Sequence, residues 1–412
     1  MEPLQGTQNT AQGSPDEARC GASQKQQTHS ACCDKIRGCL LGGAAGDALG
    51  YPVEFLSWHS IKNRYGREGI QRYHADMETG FALISDDTQM TLFTANGLLL
   101  WETGEALGGH ADAPFRCIHR TYLDWLATQT GDAEGANRVS WLLDIPELHS
   151  RRAPGGTCLS ALRSGRCGTV ESPINDSKGC GGIMRAAPAG LFYSPDRSGA
   201  DRAAAARIGA EAAAITHGHS LGYIPAAVLA HLVNVAVYGG CPRGDTLPDA
   251  IEDAMDTAER LFGRDRHWGE LRTLVDRAEA LAENGAADPD NIEELGGGWV
   301  AEETLAISVY CALRYQDDFS KGLIAAVNHS GDSDSTGAVT GNILGAWLGC
   351  GAIEDRWTHT LELRKVLLEM ADDLCCGCPL DASHRSCDPL WVKKYVDGRY
   401  PRHGAAVPHG GG

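Results

Sequence analysis

Apolar residues recur at helical spacing along most of the chain between residues 34 and 374. A repeat of about 3.6 residues indicates an amphipathic helix, whereas a half-buried strand alternates at every second residue. Helical periodicity or strong helix formers predict helices over 34–49, 88–101, 114–127, 203–215, 224–237, 247–262, 301–313, 319–327, 338–348 and 361–374. Alternating strand patterns are almost absent. The sequence therefore predicts an all-α fold.

The connections between the predicted helices are rich in Gly, Pro and Asp, and none of them forms a long linker. We therefore expect one compact domain, a multi-helix bundle over residues 34–401. Residues 1–33 combine low hydrophobicity with many small polar side chains, a composition typical of disordered segments. Residues 402–412 have the same character and are expected to form a flexible tail.

Two of the helical segments, 38–50 and 337–349, are unusually rich in small residues. Glycine lowers helix stability by about 1 kcal/mol relative to alanine, so its repetition needs a reason. The pattern indicates that helix backbones approach one another closely around a central feature.

The chain of 412 residues carries a formal net charge of -18. An acidic surface repels polyanions, and no basic stripe is visible, so we do not expect a nucleic-acid partner. An acidic protein that binds an anionic small molecule needs local positive charge, which a metal ion or a helix N-terminus can supply.

The chain contains 15 cysteines, an odd number, and no apolar signal segment precedes them. These features favour reduced thiols in the cytoplasm over a secreted disulfide scaffold. Cys375, Cys378, His384 and Cys387 could form a zinc site, but their spacing is irregular, and thiols on a loop are favoured. The apolar run 221–238 is interrupted by Pro225, His231 and Asn234 and lacks cationic flanks, so we expect a core helix and no membrane partner.

Two clusters of oxygen-bearing side chains directly precede predicted helices. The first is Ser85-Asp86-Asp87-Thr88, and the second is Asp332-Ser333-Asp334-Ser335-Thr336. Side chains at positions i and i+2 of a continuous helix point in different directions. Asp332 and Asp334 should therefore converge on one ion only if their backbone forms a turn before Gly337. Asp86 and Asp87 can each reach a different ion if they flank the N-terminus of their helix.

Four crowded carboxylates repel one another unless cations lie between them. Ligand sets made only of oxygen favour Mg²⁺, Mn²⁺ or Ca²⁺ over Zn²⁺. Two divalent ions would balance these four charges, and the hydroxyls of Ser85 and Ser335 could complete the coordination.

Other interpretations of these clusters exist. Ser-Asp-Asp-Thr alone is more often a helix cap than a ligand set. The second cluster resembles a calcium loop of the EF-hand kind, but its twelfth position is Ile343, where a bidentate Glu is needed. It also resembles the Asp-x-Asp-x-Thr motif of haloacid-dehalogenase phosphatases, which lies after the first strand of a parallel sheet and not late in a helical chain.

Taken together, the two clusters resemble the metal-binding signatures of the ADP-ribosylglycohydrolase family, over roughly residues 34–374. Three further segments resemble family motifs in the expected order. They are 34–54 (DKIRGCLLGGAAGDALGYPVE), 179–188 (GCGGIMRAAP) and 216–223 (THGHSLGY). The family fold is an all-α bundle with a central binuclear metal cleft.

The resemblance implies two Mg²⁺ ions, or Mn²⁺ as in some members. It implies metal ligands at Ser85, Asp86, Asp87, Asp332, Asp334 and Ser335. Glu54 matches the acidic residue close to the ions and the scissile bond, and we expect it to act in catalysis with Asp86 and Asp334. Gly179, Gly181, Gly182 and His217 match positions that contact ADP-ribose, although a glycine turn and a core histidine are also common structural features.

The implied activity is removal of ADP-ribose from a modified protein, with arginine as the first choice of linkage. ADP-ribosylserine or a free ADP-ribose derivative is the second choice. A non-catalytic ADP-ribose-binding relative would be expected to lack metal ligands, and a metallophosphatase would need a nucleophile or a His-rich site that the sequence does not show. The expected partner is an ADP-ribosylated protein, and a monomer is compatible with the sequence.

Overall fold

A computed structural model describes residues 15–109, 112–132, 138–199, 201–380 and 388–401. Helices make up most of this part of the chain. The α-helices are α1 (Pro15–Gly50), α2 (Trp58–Tyr65), α3 (Asp86–Ala106), α4 (Pro114–Thr130), α5 (Gly156–Arg163), α6 (Ala187–Phe192), α7 (Pro195–Ser198), α8 (Ala204–Ala214), α9 (Ser220–Tyr238), α10 (Leu247–Phe262), α11 (Trp268–Ala282), α12 (Asp288–Leu295), α13 (Ala301–Arg314), α14 (Phe319–Val327), α15 (Ser333–Leu348), α16 (Asp355–Thr358), α17 (Arg364–Cys376) and α18 (Pro389–Tyr395). Short 3₁₀ helices lie at Tyr51–Val53, Trp141–Asp144, Pro146–His149, Cys180–Gly182 and Cys350–Ala352.

The all-α prediction is confirmed, since every predicted range overlaps a helix. Within the described ranges, β-pairing is limited to two isolated bridges, Ala82–Leu361 and Gly179–Val300. Helix α1 begins at Pro15, inside the segment for which the sequence predicts disorder. Residues 1–14 and the 402–412 tail lie outside the described residues, so the domain limits remain a prediction.

Helices α1 and α15 cross at the centre of the fold with almost no space between their backbones. Glycines at every fourth position of α1 face glycines at every fourth position of α15 in antiparallel order, pairing Gly38 with Gly345, Gly42 with Gly341 and Gly46 with Gly337. A Cβ atom added at Gly46 would lie 1.9 Å from the carbonyl oxygen of Gly337. The small residues therefore allow the close approach that the sequence predicts, and they bring the C-terminal end of α1 beside the N-terminal end of α15.

Helix α9 is the one described helix whose length and composition would suit a membrane span. Most of it is buried within the fold, where its side chains join the hydrophobic core. This agrees with the core helix that the sequence predicts.

Cysteines at two distant positions form a disulfide, which links Cys33 of α1 to Cys375 of α17. The prediction of reduced thiols is therefore wrong for this pair in the structure. The alternative zinc set, which the sequence did not favour, is not available in this structure, because Cys375 is paired with Cys33. His384 and Cys387, which belong to that set, lie outside the described residues.

Candidate active site

The two acidic clusters meet in one cleft of about 320 Å³. Its wall contains Asp86 and Asp87 from the start of α3, and Asp332, Asp334 and Ser335 from the start of α15. The two acidic clusters, which are distant in sequence, therefore lie close together, as a shared metal site requires.

The start of α3 is held by a carboxylate of α1. Asp47 is fully buried and accepts hydrogen bonds from the backbone N–H of Ser85 at 2.9 Å and of Thr88 at 3.1 Å. Ser85 is the N-cap residue, and its hydroxyl accepts a hydrogen bond from the N–H of Asp87 at 3.2 Å. Ser85 thus lies behind the two aspartates and not in the cleft wall, and its role as a ligand stays a prediction.

The start of α15 differs from the predicted turn. The helix already begins at Ser333, with Asp332 as its N-cap, so the expectation of a turn up to Gly337 is wrong. Asp332 accepts a hydrogen bond from the N–H of Ser335 at 3.2 Å, and Asp334 accepts one from the same N–H at 3.0 Å. Asp332 and Asp334 converge because the N-cap residue leaves the helical path.

Glu54 ends the short 3₁₀ helix that follows α1, and it extends into the same cleft. One carboxylate oxygen from each of Glu54, Asp332 and Asp334 falls within a set of atoms that all lie within 4.8 Å of one another. The structure therefore brings the predicted catalytic glutamate to both acidic residues of α15.

Burial and mutual repulsion oppose ionisation throughout this cluster. Burial, with the nearby charges of Asp332 and Asp86, raises the pKa of Glu54 to about 8. Burial also raises the pKa of Asp86 to about 8, and hydrogen bonding from Gly155 only partly offsets the effect. The pKa values of Asp87 and Asp334 lie well above the ordinary range for the same reasons, burial first and neighbouring carboxylates second.

These carboxylates fit hard divalent cations. No ion pair in the described part of the chain involves the cluster residues, which are Asp47, Glu54, Asp86, Asp87, Asp332 and Asp334. Oε2 of Glu54 and Oδ2 of Asp87 are buried without a hydrogen-bond partner. Buried carboxylate oxygens are normally hydrogen-bonded, paired or bound to metal, so these residues fit a cation site.

The predicted substrate residues form a second wall of the cleft, although not all of them face it. Gly179, Gly181 and His217 line it, whereas a Cβ atom at Gly182 would meet the carbonyl oxygen of Gly222 at 2.8 Å, inside the fold. A Cβ atom at Gly181 would lie 2.9 Å from the ring of His217, so this turn has no room for a side chain.

His217 is buried, and its Nδ1 lies 2.8 Å from the hydroxyl of Thr216. Burial and the nearby Arg185 lower the pKa of His217 to about 3, so the imidazole is neutral at physiological pH. Among the described residues, no carboxylate forms an ion pair with Arg185. Arg185 is fully buried, donates a hydrogen bond to the Thr216 hydroxyl at 2.6 Å, and its guanidinium carbon lies 4.5 Å from the ring centroid of Tyr122.

Sequence reasoning missed two groups of residues at this site. Asp47 was noted only as part of a motif, because nothing local shows that it caps a helix 41 residues away. Phe55 and Trp299 stack at the cleft with ring centroids 5.7 Å apart, and their exposed fractions are 73% and 44%. Such exposure of large aromatic side chains is the available signal, but it is visible only in the folded chain.

Comparison with known proteins shows the family of the chain. The model of the ADP-ribosylglycohydrolase family matches residues 28–382. A protein of Archaeoglobus fulgidus without an assigned function is 30% identical over 83% of this chain and 96% of its own length. ADP-ribosylhydrolase ARH3 of Bos taurus is 27% identical over 84% of this chain and 92% of its own length. The ADP-ribosyl-[dinitrogen reductase] glycohydrolase of Rhodospirillum rubrum is 26% identical, covering 80% and 91%.

Among solved structures, an ADP-ribosylglycohydrolase-related protein complex superposes with a TM-score of 0.55 at 26% identity. The match covers 84% of this chain and 99% of that chain. The chain therefore belongs to the ADP-ribosylglycohydrolase family, and it is a hydrolase of glycosidic bonds.

Proposed function

We propose that this protein is a metal-dependent hydrolase that removes ADP-ribose from modified arginine side chains of proteins. The observation that carries the proposal is the convergence of Glu54 with the acidic starts of α3 and α15 in one cleft. The names of the bovine and Rhodospirillum relatives support removal of ADP-ribose as the general activity.

Asp86, Asp87, Asp332 and Asp334 would hold two divalent cations, Mg²⁺ or Mn²⁺, because all their donor atoms are hard oxygens. When bound, such ions supply Lewis-acid chemistry and orient hydroxyl groups of the ribose. Ser335 adds a hydroxyl on the α15 side. The ions would also remove the repulsion that opposes ionisation of the carboxylates.

The diphosphate of the substrate fits between two walls that supply backbone N–H groups. One is the glycine turn at Gly179–Gly181, and the other is the N-terminus of α5, where Gly156 lines the cleft. The N–H of Gly155 already donates to Asp86 and that of Cys180 to the carbonyl oxygen of Trp299, so the proposal does not use these two. Helix N-termini and exposed backbone N–H groups attract phosphate. The partial positive charge on these N–H groups explains how an acidic protein can bind an anionic ligand.

Glu54 is the group best placed to move a proton. Cleavage of a ribosyl bond passes through an oxocarbenium-like state, and the attacking water must lose a proton. Oε2 of Glu54 has no other hydrogen-bond partner, so it can accept that proton. The neutral His217 would contact the substrate without adding charge.

The aromatic pair supports arginine as the modified residue. Phe55 and Trp299 stand at the mouth of the cleft next to Glu54, and a planar cation stacks favourably on such rings. The guanidinium group that leaves with an arginine substrate is such a cation, whereas a serine side chain is neutral. ADP-ribosylserine, or a free ADP-ribose derivative, remains the second candidate substrate.

The proposal is tested by comparing release of ADP-ribose from arginine-linked and serine-linked peptides, with phosphate release from a nucleotide as a third assay. We expect Mg²⁺-dependent turnover of the arginine linkage as the fastest reaction. Trp299→Ala should weaken use of the arginine substrate roughly 10-fold, within the range of a cation–π contact. Phe81→Ala, at a similarly exposed phenylalanine outside the cleft, is the matched control.

Faster turnover of the serine linkage, unaffected by Trp299→Ala, would favour the second candidate. Binding of ADP-ribose without turnover of any linkage would indicate a non-catalytic relative.

A further inference from the structure

A cluster of His29, Cys33 and Cys375 lies away from the cleft, where α1 meets the C-terminal end of α17. Cys33 is separated from the C-terminus of α1 by roughly 25 Å of helix, at 1.5 Å per residue. His29 is exposed, and both cysteines are half-buried, so solvent reaches the cluster. The hydrolase site therefore does not explain it.

The disulfide holds Cys33 and Cys375 beside His29, so the three side chains are close enough to bind one ion once the disulfide is reduced. His29 and Cys33 are four residues apart and share one face of α1, with Nε2 and Sγ separated by 3.7 Å. The Sγ atom of Cys375 lies 4.0 Å from the same Nε2. All three donor atoms lie within 4.8 Å of one another.

We propose that the reduced thiols of Cys33 and Cys375, together with Nε2 of His29, bind one Zn²⁺ ion, and that oxidation to the disulfide abolishes this site. A ligand set of one nitrogen and two sulfurs favours Zn²⁺ over the hard cations expected in the cleft. Cys375 lies in the last turn of α17, where the negative end of the helix dipole favours a cation.

The two states are related by balanced chemistry. A dithiol reductant transfers two electrons and two protons to the Cys33–Cys375 disulfide, giving two thiols and the oxidised, disulfide form of the reductant. Zn²⁺ then replaces one proton on each thiol, so two protons are released, and the lone pair of His29 Nε2 completes the three protein ligands. Metal and disulfide thus exclude each other, and either one holds the long helix α1 to α17.

The experiment uses the full chain, reduced with a phosphine and freed of metal, and then titrated with Co²⁺ as a spectroscopic substitute for Zn²⁺. Thiolate ligands give a sulfur-to-cobalt charge-transfer absorption that carboxylates do not give. We expect this band in the reduced protein and its loss in the oxidised protein, in Cys33→Ser and in Cys375→Ser. His29→Ala should weaken binding roughly 10-fold or more.

Two controls separate this site from other thiols. Cys376→Ser removes an exposed neighbouring thiol, and Cys180→Ser removes one of the two cysteines that line the cleft; the band should persist in both. Zinc analysis after dialysis should give one more equivalent per reduced chain than per oxidised chain. Loss of the band in Cys180→Ser with its retention in Cys33→Ser would overturn the proposal, and so would equal zinc content in both redox states.

Discussion

The carboxylate of Asp47 lies 2.5 Å from the hydroxyl oxygen of Thr88, and this contact joins α1 to the first turn of α3. The same carboxylate accepts the backbone N–H groups of Ser85 and Thr88. Asp86 and Asp87 lie between those two residues, so the position of both candidate ligands depends on a side chain that does not line the cleft.

Replacing Asp47 should therefore weaken metal binding without removing a ligand. Substitutions of residues that orient ligands typically lower metal affinity roughly 10- to 100-fold, and we expect this range for Asp47→Ala. Asp47→Asn keeps an acceptor oxygen for one N–H and should lie between Asp47→Ala and the unaltered protein. Titration of Mg²⁺ by calorimetry measures the effect. An unchanged affinity for Mg²⁺ in Asp47→Ala would show that the N-terminal turn of α3 keeps its position without the hydrogen bonds from Asp47.

Glu54 can be tested as the proton acceptor by Glu54→Gln, which keeps the size of the side chain. General acid–base groups typically contribute about 10²- to 10⁴-fold, so we expect the hydrolytic rate to fall by at least about 100-fold. Binding of ADP-ribose and of Mg²⁺ should be affected far less, and both are measured on the same preparation. A variant that hydrolyses at the original rate with unchanged metal binding would remove Glu54 from the mechanism.

The stability of the metal-free protein should fall as pH rises from about 4 to about 8. The pKa of Glu54 and of Asp86 is raised to about 8 by burial and neighbouring carboxylates, so the folded state binds more protons than the unfolded chain in this range. Folding stability decreases with pH wherever the folded state binds more protons. Bound Mg²⁺ supplies positive charge beside the carboxylates in place of the protons that they lose at higher pH. Added Mg²⁺ should therefore raise the thermal midpoint most at the higher pH.

Thermal midpoints measured at several pH values, with Mg²⁺ and with a chelator, check this linkage. Asp86→Asn removes one titrating carboxylate and should flatten the pH dependence of the metal-free protein. A metal-free protein that becomes more stable between pH 5 and pH 8 would contradict the electrostatic account.

The crossing of α1 and α15 should not accept a methyl group at Gly46, because its Cβ atom would lie 1.9 Å from a backbone oxygen. Overpacking usually lowers the free energy of unfolding by about 1 to 3 kcal/mol. The Cβ atom of Gly46→Ala would meet the backbone of α15, which cannot rotate away as a side chain can, so we expect a loss at the upper end of this range or beyond it. Gly269→Ala is the matched control, since nothing lies within 4 Å of its Cβ position on α11. Chemical denaturation should show a large loss in the free energy of unfolding for Gly46→Ala and little change for Gly269→Ala.

The all-α fold could be predicted because its helices show in the local spacing of apolar residues. Periodic apolar positions define α10 and α13 almost to the residue. The sequence prediction missed α11, although Leu271, Val275 and Ala278 recur at helical spacing and are buried. The starts of α3 and α15 were placed too late, because their first turns carry polar residues that face the cleft instead of the core.

The candidate site could be predicted in part, because its acidic residues occur in two compact motifs. Asp47, Phe55 and Trp299 could not be assigned from the sequence, because their roles depend on partners that are distant along the chain. The same holds for the disulfide, whose cysteines are 342 residues apart. Local chemistry can be read from a motif, whereas a long-range contact depends on the packing of helices.

The central claim is that the starts of α3 and α15 share a pair of divalent cations. Titration of the oxidised, metal-free protein with Mn²⁺, followed by electron paramagnetic resonance, tests it most directly. The account predicts two Mn²⁺ ions per chain with a magnetically coupled spectrum, and loss of the coupling in both Asp86→Asn and Asp332→Asn. Mn²⁺ bound only as isolated ions, or coupling that survives both substitutions, would contradict it.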